Sequence, residues 1–223
     1  MKQVAWSHSA LKDFEGCNRR YHEVKILKKY PFTETDATRY GVKVHAAIED
    51  YIKAGKPLIQ EFKMFQPVVD ALMNKQGRIL PEQKMSLKAD LTVCDWFDKE
   101  VWVRGIADML VIDDEAEVAW VVDWKTGSNK YPDKDQLVLM SCMVFEHNPK
   151  IKRVNSALIF LLKEDMVKMS MERAEATAEW WKYRERVAKI DACMENNVWN
   201  PTQSGLCKKW CVVTTCEFNG LNK

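Results

Sequence analysis

The sequence predicts an α/β fold in which a mixed β-sheet is flanked by helices, with a helical N-terminal part and a cysteine-rich C-terminal tail. Apolar residues recur at helical spacing over the first third of the chain, and runs rich in β-branched and aromatic residues follow from about residue 81. A helical segment at about 133 to 147 separates two of these runs, as a crossover helix between parallel strands does. We therefore expect one sheet with both kinds of pairing.

The predicted helices come before most of the strands. Ser7 or Ser9 can cap a first helix that reaches about Leu27, and apolar spacing predicts two more helices at about 36 to 54 and 61 to 75. The acidic turn DDEAE between two apolar runs indicates a hairpin. The remaining predicted elements are strands at about 81 to 90, 101 to 112 and 117 to 124, the crossover helix, strands at about 153 to 162 and 165 to 171, and a charged helix at about 172 to 196.

No linker or internal repeat divides the 223 residues, of which 47% are hydrophobic, so the chain is long enough for one substantial core. We expect a single domain over residues 1–223. Its three parts are a helical part at 1–76, an α/β core with the late helix at 77–196, and the cysteine-rich tail at 197–223.

Composition limits the classes of partner. No stretch approaches the roughly 18 apolar residues that span a bilayer, and no apolar run follows Met1, so we expect a protein without a membrane partner, in the cytoplasm of a bacterium or a phage-infected cell. The net charge is only +2, so a polyanion would be attracted by local patches rather than by a global field. Two basic patches could contact a nucleic acid, and the alternative is that they are ordinary solvated surface charges. They comprise Arg19 and Arg20 with Lys25, Lys28 and Lys29, and Lys208 with Lys209.

The segment VVDWKTG carries the strongest chemical signal. Asp123 and Lys125 are two residues apart at the end of a predicted strand, so their side chains should project from the same face. Asp108, on the neighbouring strand of the hairpin, could lie beside Asp123. Two close carboxylates repel, and a divalent cation such as Mg²⁺ would compensate that repulsion. Lys125 could then orient or deprotonate an attacking water, or stabilise charge on a phosphate.

An upstream helix presents His45 and Glu49 four residues apart on one face. Alone, the pair is typical of a helix surface. Together with the acids on the strands, it suggests a further contribution to a metal site.

These motifs occur in an order that resembles a known family. GxxxHxxxE, GxxD, DxKTG and a helix with QLxL resemble the motif set of the RecB-like branch of the PD-(D/E)XK nucleases, which includes phage exonucleases and CRISPR-associated nucleases. The resemblance runs from about residue 7 to 217. It implies a restriction-endonuclease-like core, a single nuclease domain, a nucleic-acid substrate, and Mg²⁺ or Mn²⁺ as cofactor.

The resemblance also implies roles for residues. It makes His45, Asp108, Asp123 and the backbone carbonyl of Trp124 metal ligands and Lys125 the catalytic lysine. It implies that Gln136 lies near the active site and the nucleic-acid backbone, and that Glu49 orients a ligand or a water. Met140 stands where the family often has a tyrosine, so Tyr131 becomes a candidate for nucleic-acid contact beside Arg19, Arg20 and Gln136. Glu82 is a weaker candidate, for which we expect a solvated charge at a strand edge.

Seven cysteines without an export signal argue against a disulfide framework. Three of them, Cys207, Cys211 and Cys216, lie in the loop-rich tail, and Cys17 lies in a segment similar to the CxxRY element of family members that carry a four-iron cluster. That resemblance implies a [4Fe-4S] cluster on these four residues. The late spacing differs from the common family form, with three and then four intervening residues, so Cys₄ zinc or reduced thiols stay open. The other cysteines, Cys94, Cys142 and Cys193, are expected to pack in the core.

The sequence thus predicts a metal-dependent DNA nuclease, an exonuclease that acts on double-stranded ends or single strands in replication, recombination or repair, with a phage origin as one option. A structure-selective endonuclease and a non-catalytic, cysteine-stapled nucleic-acid-binding module are the alternatives. Four tryptophans could stack on bases or pack in the core: Trp180, Trp181, Trp199 and Trp210.

Overall fold

A five-stranded mixed sheet is the central element of the computed structural model, which describes residues 5–222. The strands are β1 (Arg78–Lys88), β2 (Val101–Asp113), β3 (Val118–Lys125), β4 (Arg153–Phe160) and β5 (Asp165–Glu172). The helices are α1 (His8–Gly16), α2 (Asn18–Tyr21), α3 (Asp36–Ala54), α4 (Gln66–Met73), α5 (Lys134–His147) and α6 (Arg173–Asn196).

The strands follow one another across the sheet in the order β1-β2-β3-β4-β5. All neighbours are antiparallel except β3 and β4, which are parallel because α5 carries the chain across between them. The predicted α/β class with a mixed sheet flanked by helices is confirmed.

The chain forms two compact units. One comprises residues 34–180 and contains the whole sheet, and the other comprises residues up to Thr33 and from Trp181 onwards. The first part of α6 therefore belongs to one unit and the rest to the other. The prediction of one domain in three consecutive parts stays a prediction.

Helices cover both faces of the sheet in the unit of residues 34–180. On one face, Val44 and Ile48 of α3 pack in a buried cluster with Met109 of β2 and Trp124 of β3. On the other, Leu137 of α5 packs against β4. The start of α3 is specified locally, because the Thr35 side chain accepts the Thr38 N–H and the Thr38 side chain accepts the Thr35 N–H. Gly55 ends this helix in the left-handed conformation, at φ 63°.

Three local predictions differ from the structure. The first helix is not continuous to Leu27, because the extended backbone of Cys17 separates α1 from α2 and a π-helical turn, His22–Ile26, follows. The helix predicted at 61 to 75 begins as a 3₁₀ turn, Gln60–Phe65, and becomes α-helical only from Gln66. Strand β1 starts three residues earlier than predicted.

The smaller unit contains α1, α2, the later part of α6 and the tail. Leu11, Phe14 and Tyr21 are buried, as expected for the inner side of the first helical segment. Asn219 is buried too, and its side chain donates to the carbonyls of Cys211 and Val213 at 3.0 Å each. Over residues 5–222, no helix combines the length and apolar character needed to cross a bilayer.

Candidate active site

The candidate site lies where β2 and β3 separate. Their pairing ends at Met109 and Val122, whereas β3 continues beside β4 as far as Lys125. Beyond the last pair, the carboxylate of Asp108 accepts the backbone N–H of Trp124 at 2.6 Å. A side chain thus satisfies a donor of β3 where β2 has diverged, and this bond fixes Asp108 next to the residues that follow Val122.

A backbone irregularity brings Glu82 to the same place. Gly105 faces the methionines of α5, whereas Met109, four residues further along β2, packs in the cluster with α3. A regular strand would point both to one face, so the alternation changes between them. Asp108 lies in this interval, and Glu82 occupies the facing position of β1 with a left-handed φ of 48°. Such backbone costs about 1–3 kcal/mol and is often found at functional sites.

His45 connects α3 to the separating strands. Its Nε2 lies 3.0 Å from the carbonyl oxygen of Trp124, which can only accept, so Nε2 carries a proton. Its Nδ1 lies 3.4 Å from Oδ1 of Asp108. Gly41, one turn earlier, allows the close approach of α3, because a Cβ there would lie 3.1 Å from Oγ1 of Thr126.

The charges around His45 act on its proton affinity. Burial favours the neutral imidazole, but the hydrogen bond and negative charge of Asp108, with Asp123 and Glu82 beyond it, outweigh burial and raise the pKa of His45. Burial, together with Asp108 and Glu49, raises the pKa of Glu82 as well. The site therefore holds more negative charge than its surroundings compensate.

The donor atoms of His45, Glu82 and Asp108 all lie within 4.8 Å of one another. An imidazole nitrogen and carboxylate oxygens are ligands that divalent cations accept, and a cation would relieve the repulsion between the acids. The side chains present therefore fit a divalent metal ion. The expectation that Glu82 is a solvated strand-edge charge is wrong, because Glu82 is half-buried beside two candidate ligands. Pro81 was the available signal, since proline inside a strand marks an irregularity.

Asp123 belongs to an adjoining group with Lys125 and Gln136. Nζ of Lys125 lies 2.6 Å from Oδ2 of Asp123 and donates to Oε1 of Gln136 at 2.9 Å. Nε2 of Gln136 donates to Oδ1 of Asp123 at 2.5 Å, which closes the group. Asp123 is 7% exposed. Burial is the largest cause that raises its pKa, the negative charge of Asp108 is the second, and Lys125 and His45 oppose the shift. The predicted face-sharing of Asp123 and Lys125 is observed.

The remaining predicted residues lie less centrally. Glu49 forms an ion pair with Lys53, one turn along α3. Tyr131 is 83% exposed on the loop after β3, with Nζ of Lys130 5.3 Å from its ring centre. Met140 is buried, and its sulfur lies 3.0 Å from the position of a Cβ on Gly105.

The two arginines predicted to contact nucleic acid lie in the smaller unit, and both pair with acids. Arg19 pairs with Glu217 and Arg20 with Asp13, each at 2.7 Å.

Three of the four predicted cluster cysteines border one cavity of about 110 Å³: Cys17, Cys207 and Cys211. Sγ of Cys17 accepts the backbone N–H groups of Arg20 and Thr202 at 3.4 Å each, and Sγ of Cys207 accepts that of Ser204 at 3.4 Å. Cys216 is buried outside this wall, and burial raises its pKa. Within residues 5–222, no three of these sulfurs lie within 4.8 Å of one another, so they are not gathered around a single ion as the ligands of a zinc site would be.

Of the cysteines expected in the core, only Cys142 is fully buried, and burial strongly raises its pKa; Cys94 and Cys193 are half-buried. Two of the four tryptophans with open roles lie on α6. Trp180 is buried, and its indole donates to Glu146, whereas Trp181 is 66% exposed. In the tail, Trp199 stacks on His22 with ring centres 4.4 Å apart, and Trp210 is 75% exposed.

A mixed sheet with an acid-and-lysine group at separating strands defines a restriction-endonuclease-like domain with a candidate metal site. The protein-family model of the PD-(D/E)XK nuclease superfamily matches residues 5–220 of the sequence, and the chain belongs to that superfamily. Membership implies a hydrolase that acts on nucleic acids, in a superfamily whose nucleases use divalent metals.

A solved structure has the same fold. The chain is similar to the "Putative exonuclease" from Eubacterium rectale, with 14% identity, a TM-score of 0.52, and coverage of 92% of this chain and 86% of the other. A weaker similarity is to SSO0001, with 10% identity, a TM-score of 0.45, and coverage of 98% and 88%. No curated protein sequence matches the chain.

Proposed function

We propose that the chain is a Mg²⁺- or Mn²⁺-dependent deoxyribonuclease that degrades DNA from ends or along single strands. The observation that carries this proposal is the group of His45, Glu82 and Asp108, whose donor atoms lie within 4.8 Å of one another. It adjoins a buried carboxylate, Asp123, that is paired with Lys125. The proposal assigns the metal to these four ligands and to the Trp124 carbonyl, which extends the predicted set by Glu82.

A bound divalent cation supplies Lewis acidity to a phosphate and lowers the pKa of a bound water. The chain's own residues do the rest. The Trp124 N–H holds the Asp108 carboxylate at 2.6 Å, and Gln136 holds Asp123, so two candidate ligands keep their orientation without a substrate. Lys125, kept in place by Asp123 and Gln136, carries the cationic group that stabilises charge on the attacked phosphate or exchanges a proton with the attacking water.

The catalytic roles are tested with Asp123→Asn and Lys125→Ala, assayed on a labelled single-stranded oligonucleotide with Mg²⁺ or Mn²⁺. Removal of a general acid–base or charge-stabilising group costs about 10²- to 10⁴-fold, so each variant should lose at least 10²-fold in rate. Lys163→Ala removes an equal charge at an exposed position and should leave the rate unchanged. Wild-type rates in both site variants would overturn the assignment.

Exonuclease action is the finer part of the proposal. It is supported by the ordered motifs and by the description of the Eubacterium rectale protein as a "Putative exonuclease". Linear and circular single strands of equal length distinguish the two modes, since an exonuclease requires an end. Cleavage of the circle at the linear rate would replace this part with the endonuclease alternative, and metal-dependent binding without cleavage of either would favour the binding module. For this activity on DNA ends or single strands, the proposed role is in replication, recombination or repair.

The cysteines are proposed to hold a [4Fe-4S] cluster, with zinc as the alternative. The N–H groups that point at the sulfurs of Cys17 and Cys207 support a thiolate site, since such bonds tune iron–sulfur clusters. Protein purified without oxygen should show visible absorbance and about four irons per chain. One zinc per chain without visible absorbance would select the zinc alternative. A protein that contains neither iron nor zinc would indicate that the four cysteines are reduced thiols.

A further inference from the structure

A cationic and aromatic strip extends from the metal group along β1 and β2. Lys84 pairs with Ile106, two residues along from Glu82 and Asp108, and Arg104 lies two residues further. At about 3.3 Å per residue, Ile106 and Arg104 lie about 7 and 13 Å along β2 from Asp108. The strip comprises Lys84, Arg104, Ile106, Trp96 and Phe97.

The strip faces away from α5. Gly105 faces the methionines of α5, so its neighbours on β2, Arg104 and Ile106, project from the other face. Lys84 shares that face because it is the direct partner of Ile106 in the antiparallel pair. It is the face on which α3 packs, and α3 is the helix that supplies His45 to the metal group.

Both cations of the strip lie at one aromatic ring. Nζ of Lys84 is 5.6 Å and the Arg104 guanidinium 5.5 Å from the centre of Trp96, and Nε of Arg104 donates to the Trp96 carbonyl at 2.8 Å. Among residues 5–222, neither cation has a carboxylate within ion-pair distance. In the same loop region, by contrast, Asp98 and Glu100 both pair with Lys88, at 3.6 and 2.6 Å.

Part of the strip is exposed to water. Phe97 is 85% exposed and Ile106 is 37% exposed. Phe97 follows Trp96, whose ring both cations approach and which, like them, has no carboxylate partner among residues 5–222. A phenylalanine left in water at this position suits a base that stacks while its phosphates meet the cations. In a duplex the bases already stack on one another, so an exposed ring favours a single strand.

We propose that this strip binds single-stranded DNA and leads it to the metal group, with Lys84 and Arg104 on phosphates and Phe97 on a base. The proposal rests on the proposed nuclease function for its substrate class. It adds the path of the strand and residues that no motif identifies.

Binding is measured without divalent metal, so that no cleavage occurs, by fluorescence anisotropy of a labelled oligothymidylate at several salt concentrations. Each phosphate contact contributes about 0.7 to the slope of log affinity against log salt for a single strand, so Lys84→Gln with Arg104→Gln should reduce the slope by about 1.4. Lys152→Gln, at a lysine paired with Glu117, is the matched control and should keep the wild-type slope.

Phe97→Ala should weaken binding of the oligothymidylate by about 5- to 150-fold and leave the salt slope unchanged, because it removes stacking and no charge. Its affinity for a blunt duplex should not change. Lys84→Glu, a single substitution at an exposed position, provides a second variant if the double substitution unfolds. It should lower the affinity by more than the neutral Lys84→Gln.

Wild-type affinity and slope in these variants would overturn the proposal, as would an equal loss on duplex for Phe97→Ala. Cleavage is scored separately on the same proteins. If the wild type binds as described but does not cleave with Mg²⁺ or Mn²⁺, the nuclease function fails and the strip stands. If the wild type cleaves and the variants bind like the wild type, the strip fails and the nuclease stands.

Discussion

Glu82→Gln should make the metal-free protein more stable and less responsive to metal. Glu82 and Asp108 have donor oxygens within 4.8 Å, and two unit charges at that distance repel by about 3.5 kcal/mol at an effective dielectric constant of about 20. Glu82 is half-buried, so water screens most of this, and we expect a gain of about 1 kcal/mol. The raised pKa of Glu82 agrees with the predicted gain in stability, because it means that the surroundings disfavour the charged form of this side chain. For a chain of this length, the unfolding midpoint should rise by about 2–4 °C.

The metal response should change in the opposite direction. At about 100 times its Kd, a metal stabilises the wild type by about 2.7 kcal/mol, which is about 5–10 °C. If loss of the carboxylate weakens affinity by about 100-fold, the same metal concentration stabilises Glu82→Gln by only about 0.4 kcal/mol.

The assay is thermal unfolding followed by circular dichroism at pH 8, in EDTA and in a Mn²⁺ series. Glu61→Gln, at an exposed acid of the same unit, is the matched control and should shift neither midpoint. A Glu82→Gln protein that is less stable in EDTA and still gains the full wild-type shift with Mn²⁺ would refute the argument.

Two further predictions concern the sheet. Gly77→Ala should lower the free energy of unfolding in urea by about 3 kcal/mol, because φ is +123° and a Cβ would lie 2.3 Å from the Ile112 carbonyl oxygen. Gly127→Ala, where a Cβ would meet nothing within 4 Å, is the control and should change that free energy by no more than about 0.5 kcal/mol. Equal losses in the two variants would contradict the prediction. The Ser86 N–H lies 3.2 Å from Nε2 of His147 and can donate to it, which favours the neutral imidazole. Burial lowers the pKa of this histidine, against the opposing effect of the Ser86 carbonyl oxygen. The stability from neutral His147 is present above about pH 6.5 and is lost as the pH falls towards the lower folded pKa. Wild type should therefore lose more stability than His147→Gln between pH 7 and 5, and parallel curves would rule this out.

Much of the candidate site could be predicted because its residues lie on elements with strong local patterns. The apolar run that ends at Asp123 predicts a strand, and alternation places Lys125 on the same face, as observed. Helical spacing placed His45 on α3, whose ends are specified by the Thr35 cap and Gly55. The chemistry of these positions therefore follows from short segments.

Glu82 could not be identified as a candidate metal ligand from a local pattern of this kind. Its side chain reaches His45 and Asp108 only because its backbone adopts a left-handed φ where β1 faces β2, and because α3 packs on that face of the sheet. Cys17 is a second case: helical periodicity continues through it, yet its backbone is extended and its sulfur accepts the N–H groups of Arg20 and Thr202. Thr202 is 185 residues away, so no local pattern contains that contact.

The sequence by itself determined the class of fold, the order of most elements, and the candidacy of Asp108, Asp123, His45 and Lys125 for the site, because periodicity, caps and motif order act over a few residues. Only the tertiary structure decided which of them meet. It brought Glu82 into the ligand group, engaged Asp123 with Lys125 and Gln136, and left Lys84 and Arg104 beside Trp96 without acid partners among the described residues. The physical reason is that strand register, backbone irregularities and helix packing set contacts between distant segments, and each depends on the whole sheet.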